Sequence, residues 1–206
     1  MTLHVLPDLE QGTPEWFAHR CGIPTTSEFD TLQAKGKNGS PSVTRRKYMY
    51  KLAGEIITGE AAPDGYTNAH MERGKAMEDE ARAAYCFAAD VDVEKVGFIR
   101  NGPKGGSPDR LIGKSGLLEI KTKLPHLVIE CLLADQFPPD HAAQCQGLLW
   151  VAEREWIDIT IYWPKMPLFI KRAYRDEAYI KNLATEVDRF NAELHETVER
   201  IKRYGT

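Results

Sequence analysis

No stretch of the 206-residue chain approaches the roughly 18 consecutive apolar residues that span a bilayer, so a membrane helix is not expected. The opening residues, MTLHVLPDLEQGTPEW, are too polar and acidic for a secretory signal, and a cytoplasmic location is expected. Cysteine is sparse. Cys21, Cys86, Cys131 and Cys145 form no C-x-x-C pair and do not cluster with histidine at zinc spacing. That excludes a zinc module or an iron–sulfur cluster and leaves reduced, mostly buried thiols. Neither sign of charge dominates: 27 Lys and Arg stand against 30 Asp and Glu, a net charge of −3. Any surface for nucleic acid must therefore be local. The chain has no internal repeat, no low-complexity tract, no G-x-S-x-G elbow and no H-E-x-x-H. Gly113-Lys114-Ser115 looks like the tail of a phosphate-binding loop. However, Pro108 occupies the slot of the first glycine and a strand follows, so that reading is rejected.

What remains is an ordinary globular composition, 42% hydrophobic and 28% charged, sufficient for one domain over residues 1–206. Residues 1–14 read as a lead-in. Glu15 to Cys21 forms a helical turn, and Thr25-Thr26-Ser27-Glu28 supplies hydroxyl caps for a helix start. Ser42 to Thr58 and His70 to Ala89 read as helices, the second rich in Ala, Glu, Met and Arg. Val91 to Arg100 reads as one strand, Asn101 to Pro108 as a Gly-Pro loop, and Leu111-Ile112 and Leu117 to Lys121 as two further strands. Leu127 to Leu133 and Asp140 to Ala152 are expected to be helical, interrupted by Pro138-Pro139. Trp156 to Trp163 and Leu168 to Ala173 are expected strands. Residues 176–203 form a long amphipathic helix on Ile180, Leu183, Val187, Phe190, Leu194, Val198 and Ile201. This order predicts an α/β fold, a central mixed sheet flanked by helices.

One short stretch carries the chemistry: Pro108-Asp109, nine residues, then Glu119-Ile120-Lys121. Strand alternation puts Glu119 and Lys121 on one face, with Leu118 and Ile120 on the other. Asp109 shares the Glu119 face only if the antiparallel pairing is centred on Lys114, through a three-residue loop or a bulge. Two carboxylates suit a hard cation such as Mg²⁺, which prefers oxygen ligands and makes hydroxide available from bound water. A neighbouring lysine orients the nucleophile or stabilises developing negative charge. A third acid, Glu78, shares a helical stripe with Ala81 and Tyr85, so it points inward and needs a partner; a metal, Arg82 or Lys75 would serve. Gln144, on a stripe with His141, Leu148 and Val151, is a candidate to position a water or backbone group, whereas Gln146 projects differently. Arg20 and Ser27 bracket a turn that could hold phosphate. Arg45, Arg46, Lys47 and Lys51 form a basic helical patch interleaved with Tyr48 and Tyr50, suited to a nucleic-acid backbone.

With Gly74-x-x-x-Glu78-x-x-Ala81, Ser107-Pro108-Asp109, Leu118-Glu119-Ile120-Lys121 and Gln144-x-Gln146 in order, the chain resembles the phage lambda exonuclease (YqaJ-type viral recombinase) family of the PD-(D/E)xK nuclease superfamily. The segment Glu15-Trp16 … Arg20-Cys21-Gly22-Ile23-Pro24-Thr25-Thr26-Ser27-Glu28 is similar to that family's N-terminal motif. The resemblance runs from about residue 11 to 165. It implies a restriction-endonuclease-like PD-(D/E)xK core and a Mg²⁺-dependent enzyme, with Mn²⁺ as a substitute. Such an enzyme degrades one strand of linear double-stranded DNA from its 5′ end, releases 5′-mononucleotides and leaves a 3′ single strand. It implies a homotrimeric ring on DNA ends and a single-strand annealing protein as recombination partner. By motif position, Glu78, Asp109, Glu119 and the Ile120 carbonyl would bind metal. Lys121 would handle the attacking water, and Gln144 would support the site. Arg20, Ser27 and Ser107 would hold the 5′-phosphate, and Met71 would wedge open the end base pair. Arg110 stands where a small residue is common in the family, and Thr122 where Cys-Pro is often seen. An endonuclease of the same superfamily is the alternative reaction. A non-catalytic DNA-binding protein is disfavoured because all four site positions are filled.

Overall fold

The computed structural model describes residues 2–62 and 69–204, apart from the side chains at 69–72 and 75. The elements follow in the order β1 (Leu3–Leu6), α1 (Pro14–Arg20), α2 (Phe29–Gln33), α3 (Val43–Thr58), α4 (Ala69–Ala89), β2 (Glu94–Lys95), β3 (Phe98–Asn101), β4 (Gly105–Gly106), β5 (Arg110–Ile112) and β6 (Gly116–Thr122). After these come α5 (Pro125–Ala134), α6 (Ala142–Ala152), β7 (Trp156–Tyr162), β8 (Phe169–Tyr174) and α7 (Glu177–Lys202).

The helix ends show why these segments fold as they do. Ser42 caps α3 by accepting from the Arg45 N–H, and Gly59 ends it at φ 75°, a left-handed turn that glycine takes without strain. Asp176 caps α7 by accepting from Ala178 and Tyr179 N–H. Six residues of the α7 stripe, from Ile180 to Val198, are buried, while Ile201 in the last turn is exposed. Each buried apolar side chain of that stripe contributes roughly 1.5–3 kcal/mol relative to exposure.

Two sheets result. A five-stranded mixed sheet runs β2-β5-β6-β7-β8, with β6 and β7 parallel and the other neighbours antiparallel. A smaller antiparallel sheet runs β1-β3-β4. On one face of the large sheet, Tyr85 of α4 packs on Ile112 and Leu118. On the other, Leu148, Leu149, Leu183, Val187 and Phe190 from α6 and α7 pack on Leu111, Leu117, Ile157 and Ile159. The site therefore lies on a strand, β6, covered on both faces and bonded on both edges.

Three expected elements differ. The lead-in contains β1, whose register pairs Leu3 with Asn101 and Leu6 with Phe98. Residues 91–100 are not one strand. The chain enters β2, buries Val96, and joins the other sheet as β3. The Gly-Pro loop includes β4, where Gly106 serves close approach: a Cβ there would lie 2.6 Å from Thr26 Oγ1. All four cysteines are free; Cys145 is buried and the others are half-buried. Among the described residues, no helix is long and apolar enough to cross a membrane.

Candidate active site

The β5–β6 hairpin pairs Arg110 with Leu118, Leu111 with Leu117 and Ile112 with Gly116. Continued by one residue, this register sets Asp109 opposite Glu119 and centres the turn on Lys114. That is the pairing needed for the two carboxylates to share a face. Gly113 takes φ 50° in the three-residue loop. The loop is tied down by Arg154 Nη1, which donates to the Gly113 carbonyl at 2.7 Å and the Gly116 carbonyl at 3.2 Å.

Glu119 is almost fully buried. Its Oε1 accepts from Gln144 Nε2 at 2.6 Å and lies 2.8 Å from Lys121 Nζ, while its Oε2 is buried with no hydrogen-bond partner. Asp109 Oδ2 accepts from the Ile120 N–H at 2.6 Å. Burial, and then the facing Glu119 carboxylate, hold the Asp109 carboxyl well above the usual range, against the pull of Lys121. Burial works against the Lys121 charge, but Glu119 and Asp109 overcome it and push its pKa up to about 12. Cys145 lies beneath this group, its thiol raised by burial and by Glu119. His141, just before α6, is pushed down to about 4 by burial and by Lys121, against the pull of Asp140.

Glu78 comes from α4 on the other side of the sheet. Its stripe partners Ala81 and Tyr85 are buried, as the periodicity requires. Among the described side chains its partner is Arg110 rather than Arg82, and Lys75 lies outside the described side chains: Arg110 Nη1 donates to Glu78 Oε1 at 2.8 Å. Glu78 is the weakest of the neighbours that perturb Asp109. Among the described residues, no three His, Cys, Asp or Glu side chains converge on a single point. Asp109 and Glu119 thus form the centre, with Glu78 at its margin.

A second group sits beside Asp109. Thr25 bridges to Gly105, which brings the turn after α1 against β4, just ahead of Ser107-Pro108-Asp109. Arg20 lies over the Trp16 ring at 3.9 Å and donates to Thr25 Oγ1 at 3.3 Å; Thr25 Oγ1 is 3.4 Å from Ser27 Oγ. Trp16 Nε1 donates to Ser107 Oγ at 3.1 Å, and the Ser107 hydroxyl donates to the Gly97 carbonyl at 2.8 Å. Arg20, Ser27 and Ser107 are therefore linked through Thr25 and Trp16. The hydroxyl proton of Ser107 is already committed to the wall of this pocket. Met71 lies in α4, but its side chain is outside the described residues. The basic patch on α3 loses one member, because Arg45 is buried and paired with Glu193 at 2.6 Å.

The matching family model is the YqaJ-like viral recombinase domain, over residues 15–155. The chain belongs to the YqaJ-like viral recombinase family. Among solved structures, an alkaline exonuclease from Laribacter hongkongensis is 33% identical over 93% of this chain and 97% of its own, with a TM-score of 0.83. The same enzyme in complex with dAMP is 34% identical, with the same coverage and TM-score. A phage-related exonuclease from Haemophilus somnus 129PT, 13% identical over 87% of this chain and 96% of its own, shares the fold at a TM-score of 0.65. No curated protein matches the chain.

Within this YqaJ-like domain, sequence reasoning passed over several residues that build the site. Thr25 and Trp16 lie inside the N-terminal motif but join the pocket only through long-range contacts. Glu55 is buried on α3 and accepts from the Gly22 N–H at 2.8 Å, pinning the loop that carries the pocket. A Glu in the last turn of a helix gives no local sign of such a role. Gln146 is buried as well. Its Nε2 donates to the Tyr174 carbonyl, and its Oε1 accepts from the Asp176 N–H, so it joins α6 to the start of α7.

Proposed function

We propose that this YqaJ-like protein is a Mg²⁺-dependent exonuclease that degrades one strand of linear duplex DNA from its 5′ end. Family membership and the likeness to alkaline exonucleases support a nuclease acting on DNA. The observation that carries the finer reading is the Asp109–Glu119 pair. Two carboxylates face each other in a buried setting, one held partly against ionisation and the other with an unpartnered oxygen. Such a pair fits a divalent cation, which would relieve both the repulsion and the orphaned oxygen.

Asp109, Glu119 and the Ile120 carbonyl would hold the ion, with Glu78 beside them. When bound, Mg²⁺ would supply Lewis-acid polarisation of a phosphate oxygen and a water of lowered pKa. The remaining work belongs to the chain. Lys121, with a pKa near 12, stays charged at neutral pH, so it orients the nucleophile and stabilises negative charge rather than taking a proton. Gln144 fixes the Glu119 carboxylate. Arg20, Thr25 and Ser27 form an anion pocket suited to a terminal 5′-phosphate, and Ser107 braces its wall. Release of 5′-mononucleotides, a homotrimeric ring, Mn²⁺ as a substitute ion and a single-strand annealing partner belong to the same proposal.

Digestion of end-labelled linear duplex with Mg²⁺ tests it. Linear DNA with a 5′-phosphate should be degraded faster than the same DNA with a 5′-hydroxyl, and Arg20→Ala should erase the difference. A covalently closed circle should stay intact; its cleavage would convert the reading to an endonuclease. A light-scattering mass close to the 23.3 kDa of one chain would reject the ring.

A further inference from the structure

The turn between Arg20 and Ser27 is gripped by one helix. Tyr48 and Glu55 lie seven residues apart on α3, two turns along the same face. The Tyr48 hydroxyl accepts from the Thr25 N–H at 3.2 Å, and Glu55 Oε2 accepts from the Gly22 N–H at 2.8 Å. These bonds hold both ends of residues 22–25. Between them the Ile23 N–H donates to the Arg20 carbonyl at 3.3 Å, and the Pro24 carbonyl accepts from the Gly105 N–H at 3.2 Å. Glu55 is 5% exposed, and its Oε1 accepts from the Ala62 N–H at 3.2 Å, so both carboxylate oxygens are spent on backbone. Tyr48 stacks on Phe190 with ring centroids 5.7 Å apart, and burial pushes its pKa up to about 12, so it stays a neutral hydroxyl. What the pair holds is the spacing of the pocket. Helix α1 ends at Arg20, and the next helical turn begins only at Thr26. The separation of Arg20 from Thr25 and Ser27 is therefore set by this turn and by what fixes it.

We propose that Tyr48 and Glu55 are positioning residues for end recognition: they fix residues 22–25 so that Arg20, Thr25 and Ser27 present one preset pocket to a terminal 5′-phosphate, and they set the preference for phosphorylated over hydroxyl ends without touching the phosphate. A preset pocket loses little freedom on binding, whereas a turn freed of either bond must be ordered by the phosphate itself. The Glu55 carboxylate carries the same sign of charge as the phosphate, so its benefit lies in its backbone bonds alone. The proposal rests on the reading of Arg20, Thr25 and Ser27 as a 5′-phosphate pocket.

Initial rates with Mg²⁺ on two short linear duplexes that differ only in a 5′-phosphate or a 5′-hydroxyl give the test, read as the ratio of kcat/KM for the two ends. Tyr48→Phe keeps the stack on Phe190 and removes one acceptor. It should lower the ratio by roughly fivefold, the order of one hydrogen bond, with the loss in KM for the phosphorylated end. Glu55→Gln keeps one acceptor oxygen and should lower the ratio by a similar factor; Glu55→Met, which keeps neither, should lower it by roughly tenfold or more. In the Arg20→Ala background neither Tyr48→Phe nor Glu55→Gln should change the ratio further, because both act through the pocket. Equal slowing on the two ends, tracking a lower urea midpoint, would mean that the pair merely stabilises the fold and would overturn the inference. A ratio that rises in Glu55→Gln would also overturn it, since the carboxylate would then act as a charge that repels phosphate. If circular dichroism shows Glu55→Met unfolded, Tyr48→Phe and Glu55→Gln decide the matter. The pocket and its frame fail separately. A wild-type protein indifferent to the 5′-phosphate removes the pocket and the frame with it. A preference that Arg20→Ala erases, but that Tyr48→Phe and Glu55→Gln leave intact, removes only the frame.

Discussion

Gln144 Nε2 donates to Glu119 Oε1 at 2.6 Å, across from α6 to β6, and the other oxygen of that carboxylate is left buried with no partner. An amide that grips one oxygen and leaves the other open orients the carboxylate for an incoming ligand. Gln144→Ala should therefore lower the nuclease rate by roughly 10–100-fold, as losses of orienting partners at metal sites do. Circular dichroism and the urea midpoint should stay near wild type. Gln144→Glu should do worse than Ala, because it sets a second carboxylate against Glu119. Full activity in the Ala variant would sink the orienting role.

Lys121 bears on the chemical step. Its ammonium is held by Glu119 and Asp109 at a pKa of about 12, so its charge persists across any ordinary assay pH. Lys121→Ala should reduce kcat by roughly 10²–10³-fold, the range for removing one preorganised group that meets developing charge, with little change in duplex binding. Stability gives an independent check. The folded pKa lies above the ordinary 10.5 of the unfolded chain, so the stabilising contribution is complete below about 10.5 and fades as pH rises toward 12. The urea midpoint of metal-free wild type should fall over that window more than that of Lys121→Met. A kcat lost together with duplex affinity would instead assign Lys121 to DNA binding.

The hairpin was legible because its register follows from a parity argument on Asp109 and Glu119, and the helices were legible because caps and periodic stripes are local. What failed was non-local. The strand Leu3–Leu6 is too short to announce itself, and its partner Phe98–Asn101 lies far along the chain. Arg110 as the partner of Glu78 joins α4 to β5, and nothing near Glu78 in sequence points to it. The stripe argument that favoured Gln144 over Gln146 had no exposed face to discriminate by, because Gln146, Gly147, Leu148 and Leu149 are all buried. Arg45 read as part of a basic surface, since periodicity gives no warning that Glu193 of α7 would draw it inward.

That Arg45–Glu193 pair makes an asymmetric prediction. Arg45 is 2% exposed and Glu193 36% exposed, and the Nε and Nη2 of Arg45 are buried without hydrogen-bond partners. Removing the acid leaves a buried cation uncompensated, whereas removing the cation leaves an acid that water reaches. Glu193→Ala should lower stability by about 3 kcal/mol, the low end for breaking a buried pair. Arg45→Met, which keeps the apolar packing on Phe190, should be close to neutral. Adding Arg45→Met to Glu193→Ala should recover most of the loss. Urea unfolding of the three variants decides it; equal losses for the two single variants would contradict the asymmetry.

His141 supplies the acid-side prediction. Its Nε2 is buried without a hydrogen-bond partner, and burial together with Lys121 lowers its pKa from the ordinary 6.5 to about 4, with Asp140 opposing and Lys123 reinforcing the fall. Between about pH 6.5 and 4 the unfolded chain therefore binds a proton that the folded chain refuses, and stability drops as pH falls through this window. Asp140, lowered by its neighbours, loses its stabilising charge only further into acid, so it does not account for a drop above pH 4. Asp109, held above the usual range, works in the opposite sense and remains in a His141 variant, whereas Asp140, which His141 helps to lower, changes with it but only at the acid end of the window. Above about pH 4.5 the difference between wild type and His141→Phe therefore reports the imidazole. The urea midpoint of His141→Phe should decline less than that of wild type between pH 7 and 4.5. Parallel declines would mean that the imidazole accepts its proton in the folded state and that water or an anion reaches Nε2.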